Sequence, residues 1–100
     1  MNVDDLDAFI DEGIRRSIKG GYKPTIFVGM RARHGTVEAI TRLVQSGDIQ
    51  SGFKRLKELG LLEWSIESAI IRFPHRFTAN ARACAEFRLR LTHDKAQKDQ

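Results

Sequence analysis

The 100-residue chain contains one cysteine, no internal repeat and no apolar run of membrane-spanning length. Cys84 has no second thiol to pair with, so an internal disulfide is excluded, and such a low cysteine content is typical of a reducing compartment. An apolar run of about 20 residues would be needed to cross a bilayer. The opening, MNVDDLDAF, lacks the basic and apolar stretches of a secretory signal. We therefore expect a cytoplasmic protein without a membrane segment.

The composition is that of one globular domain. Hydrophobic residues make up 41% of the chain and charged residues 30%, and no shift in composition divides it. A chain of this length forms a single modest core. We expect one helical domain over residues 1–93 and a polar, disordered tail over residues 94–100.

Apolar residues recur at helical spacing between glycine, serine and proline turns. This pattern predicts an all-α fold, a compact bundle of five or six short helices. The predicted stripes, in chain order, are Val3, Leu6, Phe9, Ile10, Ile14 and Ile18; Ile26, Phe27 and Met30; Ile40, Leu43 and Val44; Phe53, Leu56 and Leu59; Ile66, Ala69, Ile70 and Phe73; and Ala83, Cys84, Phe87 and Leu91. From these stripes we expect a core that includes Leu43, Leu56, Leu59, Ile70 and Phe87.

Capping and breaking residues predict where the helices begin and end. Gly13, inside the first helix, predicts a weak point or a bend because glycine is a poor helix former. The predicted boundaries are Asn2 or Asp4 as the first cap, Gly20-Gly21, Pro24, His34-Gly35, Thr36 as the third cap, Ser46-Gly47, a fourth helix from about Ile49 to Leu59, Ser65 as the fifth cap, Pro74, and Thr78 before the last helix.

The segment from Trp64 to Phe73 has an alternative interpretation, as a strand in the wing of a winged helix-turn-helix. A wing is a hairpin, and residues 61–73 contain no glycine turn between two alternating runs. The spacing of the apolar residues after Ser65 also fits a helical period better than a period of two. We therefore favour a helix here.

No arrangement of residues typical of an active site is present. His34, His75 and His93 lie far apart, and none has a second ligand at helical spacing. Cys84 lies on a predicted apolar helix face, where a small buried thiol is the ordinary interpretation. We expect no catalytic residue, no metal and no cofactor.

Basic residues exceed acidic ones, giving a formal net charge of +4. The first helix begins with acids and ends with bases, as the helix dipole favours, and Asp11–Arg15 and Glu12–Arg16 have the spacing of ion pairs. On the last helix, Arg82, Glu86 and Arg90 predict a surface ladder. The candidate nucleic-acid-binding residues are Arg15, Arg16, Lys19, Arg31, Arg33, Arg72, Arg76, Arg82, Arg88 and Arg90.

The turn from Gly21 to Thr25 is the other segment of functional interest. Tyr22 and Phe27 can stack on bases while the neighbouring cations hold phosphates. Phe27 and Met30, however, lie one helical turn apart, which favours packing in the core.

From Tyr22 onward the order of residues resembles a family of short bacterial helical proteins and domains. The resemblance spans roughly residues 20–91 and is carried by Tyr22-x-Pro24-Thr25-x-Phe27-x-x-Met30, His34-Gly35-x-Val37-x-Ala39, Leu43, Ser46, Ser51-Gly52-Phe53, Leu56, Glu58-Leu59-Gly60-x-Leu62, Ser65-x-Glu67 and Phe77-Thr78. Members stand alone or are appended to larger proteins, and no activity is established for the family. The resemblance implies a module and supplies no catalytic residue.

Two hypotheses about function follow. The first is a small non-catalytic interaction module that binds a protein partner or a copy of itself, with Leu61 and Trp64 as the candidate docking residues. The second is an accessory protein that binds nucleic acid through its basic helical surfaces.

Overall fold

The computed structural model describes residues 5–46 and 51–98, and every regular element in this part of the chain is helical. Asn2, Val3 and Asp4, like the fourth helix's predicted start at Ile49, lie outside the described residues. The helices are α1 Asp5–Lys19, α2 Thr25–His34, α3 Thr36–Gln45, α4 Ser51–Glu58, α5 Ile66–Arg72 and α6 Ala79–Lys98, with 3-10 turns at Leu62–Trp64 and Pro74–Arg76. The all-α prediction is confirmed.

Several predicted helix ends are confirmed by hydrogen bonds. Ser65 caps α5, since its Oγ accepts from the backbone N–H of Ser68 at 3.1 Å. Thr78 caps α6 by accepting from the N–H of Ala81 at 3.1 Å. The helix at residues 66–72 therefore replaces the strand that a wing would need.

The predicted role of Thr36 as a cap is wrong. Gly35 adopts a left-handed φ of 90° and joins α2 directly to α3, so Thr36 is already the first residue of the helix. Its hydroxyl instead donates to the carboxylate of Asp7, which also accepts from Arg31. One carboxylate thus ties α1, α2 and α3 together.

The core lies where α5 packs against α6, α1 and α3. Ile70, at the centre of α5, is fully buried as predicted. The remaining buried apolar side chains are Leu6, Phe9, Ile10, Phe27, Ala39, Ile40, Val44, Phe53, Ala69, Phe77, Ala81 and Ala85.

The face that α6 turns to the core is not the predicted one. Phe87 is 57% exposed and Ala83 is exposed, while Ala81, Ala85 and Arg88 are buried. Alanines at i and i+4 let α5 approach α6 closely. The prediction that Phe87 is buried is wrong for this reason. The side chain of Leu91 lies outside the described part of α6.

Other predicted core residues are less buried than expected. Leu43, Leu56 and Leu59 are only partly buried, while Ile18 and Ile26 are 49% and 70% exposed. Leu43 and Leu56 line an open pocket, described below, which accounts for their exposure.

The last helix runs to Lys98, so it passes the end predicted at His93. Among the described residues, no helix combines the length and the apolar character that a membrane span requires.

Candidate functional site

The candidate site is an apolar pocket of about 280 Å³ that opens at the surface. Side chains from α1, α2, α3, α4, the turn at Trp64 and α5 build its wall. The lining residues are Ile10, Gly13, Ile14, Ser17, Tyr22, Lys23, Pro24, Thr25, Ile26, Phe27, Leu43, Phe53, Leu56, Trp64, Ile66 and Glu67.

One face of α1 forms the first wall. Ile10, Ile14 and Ser17 recur at i, i+4 and i+7, so they lie along the same side of the helix. The hydroxyl of Ser17 donates to the carbonyl of Gly13 at 2.9 Å, which satisfies this buried polar group within the helix.

The turn between α1 and α2 forms the mouth. Gly21 has a left-handed φ of 100°, and the N–H of Tyr22 donates to the carbonyl of Ser17 at 2.8 Å. Tyr22 is half-buried, and burial raises the pKa of its phenol. Lys23 is exposed, so the mouth combines an aromatic ring with a cation.

Trp64 lines the pocket rather than standing out from the surface. Its ring stacks on Phe9 with centroids 4.9 Å apart, and the guanidinium of Arg16 lies 4.5 Å from the centre of the indole. Its Nε1 is buried and has no hydrogen-bond partner among the described residues. Of the two candidate docking residues, Trp64 lines the pocket and Leu61 does not, and both are half-buried.

Glu67, which also lines the pocket, is 2% exposed. Its Oε2 accepts from Nη1 of Arg88 at 3.0 Å, and Nη2 of that arginine donates to the carbonyl of Ser46 at 2.8 Å. Desolvation raises the pKa of Glu67, and the neighbouring Arg88 opposes this shift. The two charges compensate each other inside the protein.

Arg88 therefore cannot belong to a nucleic-acid-binding surface, because it is 5% exposed and bonded to Glu67. Arg88 was a candidate because the last helix carries a row of arginines, and it is not part of the predicted ladder of Arg82, Glu86 and Arg90. The helical register that buries Ala81 and Ala85 also buries Arg88.

Most of the other candidate arginines are engaged within the protein. Arg15 and Arg16 both pair with Glu12, so the predicted Glu12–Arg16 pair is confirmed. Asp11 pairs with Arg31 at 2.7 Å instead of with Arg15, because α2 brings a cation from another helix within reach.

Arg82 does not form the predicted ladder with Glu86. Its Nη1 donates to the carbonyls of Pro74 and Phe77, closing the turn before α6. Arg72 lies over the ring of Phe9 at 5.0 Å. Arg16 and Arg72 thus lie over two rings, Trp64 and Phe9, that stack on each other. Lys19, Arg33 and Arg76 have no ion-pair partner among the side chains that the structure describes.

The pocket was not predicted as a site, although two of its parts had drawn attention. Tyr22 and Phe27 were considered as residues that stack on bases, and Trp64 was a candidate docking residue. Ile10, Ile14 and Phe53 gave no signal other than their helical spacing, which is the same for core and pocket residues.

Chemically, the pocket offers shape and apolar surface. Its hydroxyls at Ser17 and Thr25 each bond a backbone carbonyl, and Glu67 is paired with Arg88. Within the described residues there is no group of three or more His, Cys, Asp or Glu that could hold a metal ion.

A comparison of the chain with protein-family models, with curated proteins and with solved structures found no match.

Proposed function

We propose that this protein is a small non-catalytic interaction module that binds a protein partner by taking an apolar side chain of that partner into the pocket. The observation that supports this proposal is the open apolar pocket between α1, α2, α4 and α5. Recognition sites of this kind bury a few anchor side chains in concave, mostly apolar surfaces.

The rim of the pocket favours a macromolecular partner. Ile26 is 70% exposed and lies beside the opening, so a partner that reaches the pocket also covers this side chain. Exposed apolar surface next to a cavity is typical of an interaction site.

The polar groups of the wall favour binding over catalysis. Ser17 and Glu67 hold buried hydrogen bonds within the fold, and the hydroxyl of Thr25 donates to the carbonyl of Lys23. None of these three groups is therefore presented to a substrate as a free nucleophile or base. A module that stands alone or is appended to larger proteins, as the family resemblance implies, is in keeping with this role.

The alternative of a nucleic-acid-binding accessory protein has less support. Arg88 is buried, Arg31 is paired with two carboxylates, and Arg15 and Arg16 share the carboxylate of Glu12. Phosphate binding depends on cations that are free to exchange their counterions.

The pocket can be tested by selecting peptides from a random displayed library on the intact protein. Ile14→Phe places a larger side chain inside the pocket, and Thr25→Phe places one at its mouth, where an exposed position tolerates it. Val28→Phe is the matched control, because Val28 is 42% exposed on α2 and does not line the pocket. Circular dichroism and thermal unfolding establish that each variant is folded.

Peptides that bind the unmodified protein and the Val28→Phe variant, but neither pocket variant, support the proposal. If no such peptide emerges, the proposed function is wrong. A gel shift with random duplex and single-stranded DNA tests the alternative, since retardation that falls steeply with salt would favour nucleic acid as the partner.

A further inference from the structure

The distribution of ion pairs leaves the surplus positive charge of the protein on particular residues. Six arginines are in ion pairs with carboxylates of the described chain: Arg15, Arg16, Arg31, Arg42, Arg55 and Arg88. Lys23 and Lys57 have no ion-pair partner among the described residues, and both are exposed. Their charge is available to a partner.

These two lysines lie on different elements that border the pocket. Lys23 is one of the lining residues and lies in the turn that forms the mouth. On α4, Phe53 and Leu56 face the pocket, and Lys57 follows Phe53 by one helical turn, so it borders that face.

No free negative charge of the described wall opposes them. Lys23 and Glu67 are the charged lining residues, and Glu67 is buried against Arg88 at 3.0 Å. The carboxylates of Glu12 on α1 and Glu58 on α4 are each paired with an arginine of their own helix. The wall therefore suits an uncharged apolar group, and an anion suits the part of the rim that Lys23 and Lys57 border. Glu63, in the turn at Trp64, is exposed and has no ion-pair partner among the described residues, so an anion is disfavoured on that part of the rim.

We propose, on the basis of the proposed function, that the partner is an acidic protein segment whose bulky apolar anchor enters the pocket while flanking carboxylates lie against Lys23 and Lys57. A volume of about 280 Å³ is at or below the range of roughly 300–1,000 Å³ that holds drug-sized ligands, so one or two side chains suit it. The lysines supply steering and specificity, and the anchor supplies the buried apolar area.

The experiment starts from the pocket-dependent peptides of the selection above. The tightest of them is synthesised together with a counterpart in which every Glu and Asp is replaced by Gln and Asn. Binding is followed by the fluorescence of Trp64, the one tryptophan of the chain and part of the pocket wall. Titrations at low and at raised salt separate the electrostatic contribution to binding from the apolar contribution. Salt screens the charges, because the screening length falls from about 10 Å at 0.1 M to about 3 Å at 1 M.

We expect the selected peptides to be acidic around one bulky apolar residue. Neutralising their carboxylates should weaken binding about five- to tenfold at low salt and much less at raised salt, as two exposed ion pairs would. Lys23→Glu and Lys57→Glu should each lower the affinity for the acidic peptide and leave the affinity for its neutral counterpart nearly unchanged. Arg90→Glu makes the same change of charge on α6, which contributes nothing to the described wall, and should leave both affinities unchanged.

Two results would overturn this inference alone. One is a set of pocket-dependent peptides that are neutral or basic, and the other is an acidic peptide that binds the Lys23→Glu and Lys57→Glu variants as well as the unmodified protein. Both results leave the proposed function standing, because the peptides still need the pocket. The absence of any pocket-dependent peptide would overturn the proposed function and this inference with it.

Discussion

Arg88 and Glu67 form an ion pair at 3.0 Å in which both side chains are almost fully buried, at 5% and 2% exposure. The pair joins α6 to α5, and the second nitrogen of the guanidinium holds the carbonyl of Ser46 at the end of α3. Buried charges are costly unless each is compensated, so this arrangement fixes how the three helices meet.

Arg88→Met should destabilise the protein by about 3–5 kcal/mol, because it leaves the carboxylate of Glu67 buried without its partner. Urea denaturation at neutral pH measures this loss. The double variant Glu67→Leu with Arg88→Met should recover much of the free energy of unfolding, since it removes both charges.

Arg90→Met is the matched control for this prediction. Arg90 lies two residues further along α6 and is exposed, so its replacement should change the free energy of unfolding by less than about 0.5 kcal/mol. Equal effects of Arg88→Met and Arg90→Met would show that the buried pair does not stabilise the fold.

Gly13→Ala should destabilise the protein although alanine is the better helix former. A Cβ at Gly13 would lie 2.9 Å from the backbone oxygen of Trp64, so α1 would have to move away from this turn. Gly29→Ala is the control within α2, where the nearest atom is the flexible end of Arg33 at 3.5 Å. It should stabilise by up to about 1 kcal/mol, and a stabilising Gly13→Ala in thermal or urea unfolding would contradict the close approach.

The helices were predictable because their signals are local. Ser65 and Thr78 cap the helices that follow them, and Gly35 ends α2 where the sequence indicated. Gly13 shows the limit of such signals. Its position within the helix predicts weakness, whereas the structure gives it a packing role that depends on Trp64, 51 positions away in the sequence.

The orientation of α6 was not predictable from its apolar residues. Phe87 is the largest of them, yet the helix buries Ala81, Ala85 and Arg88. Small size permits close approach of α5, and Glu67 on that helix supplies the charge that makes a buried arginine tolerable. Both factors belong to a partner helix, so the sequence of α6 alone cannot reveal them.

The pocket and the engaged arginines depend on tertiary packing in the same way. Arg31 pairs with Asp7 and Asp11 and so joins two helices. The sequence gives only the number and order of these charges, and these do not show that the three residues pair across helices. The pocket lies between elements that meet only in the folded chain, so Ile14 and Phe53 are indistinguishable in sequence from core residues.

Phe87→Ala should have little effect on stability, contrary to what helical spacing alone predicts. The side chain is 57% exposed, so its removal should change the free energy of unfolding by less than about 1 kcal/mol. Ile70→Ala, at a fully buried position of α5, should cost about 2–5 kcal/mol. Urea denaturation of both variants tests the register of α6, and a loss at Phe87 as large as that at Ile70 would contradict it.

The carboxylate of Asp7, where α1, α2 and α3 meet, should make the free energy of unfolding depend on pH. The hydroxyl of Thr36 and then the guanidinium of Arg31 hold the pKa of Asp7 below its ordinary value of 3.8. Because the folded state has the lower pKa, the carboxylate contributes stability above pH 3.8 and loses it as the pH falls through the folded value. Urea denaturation from about pH 6 to about pH 2.5 should therefore show the advantage of the unmodified protein over Asp7→Asn shrinking in acid. Thr36→Val removes the strongest hydrogen bond to this carboxylate and should weaken the pH dependence. If the difference in free energy of unfolding between the unmodified protein and Asp7→Asn stays constant across the range, Asp7 is not held in its charged form.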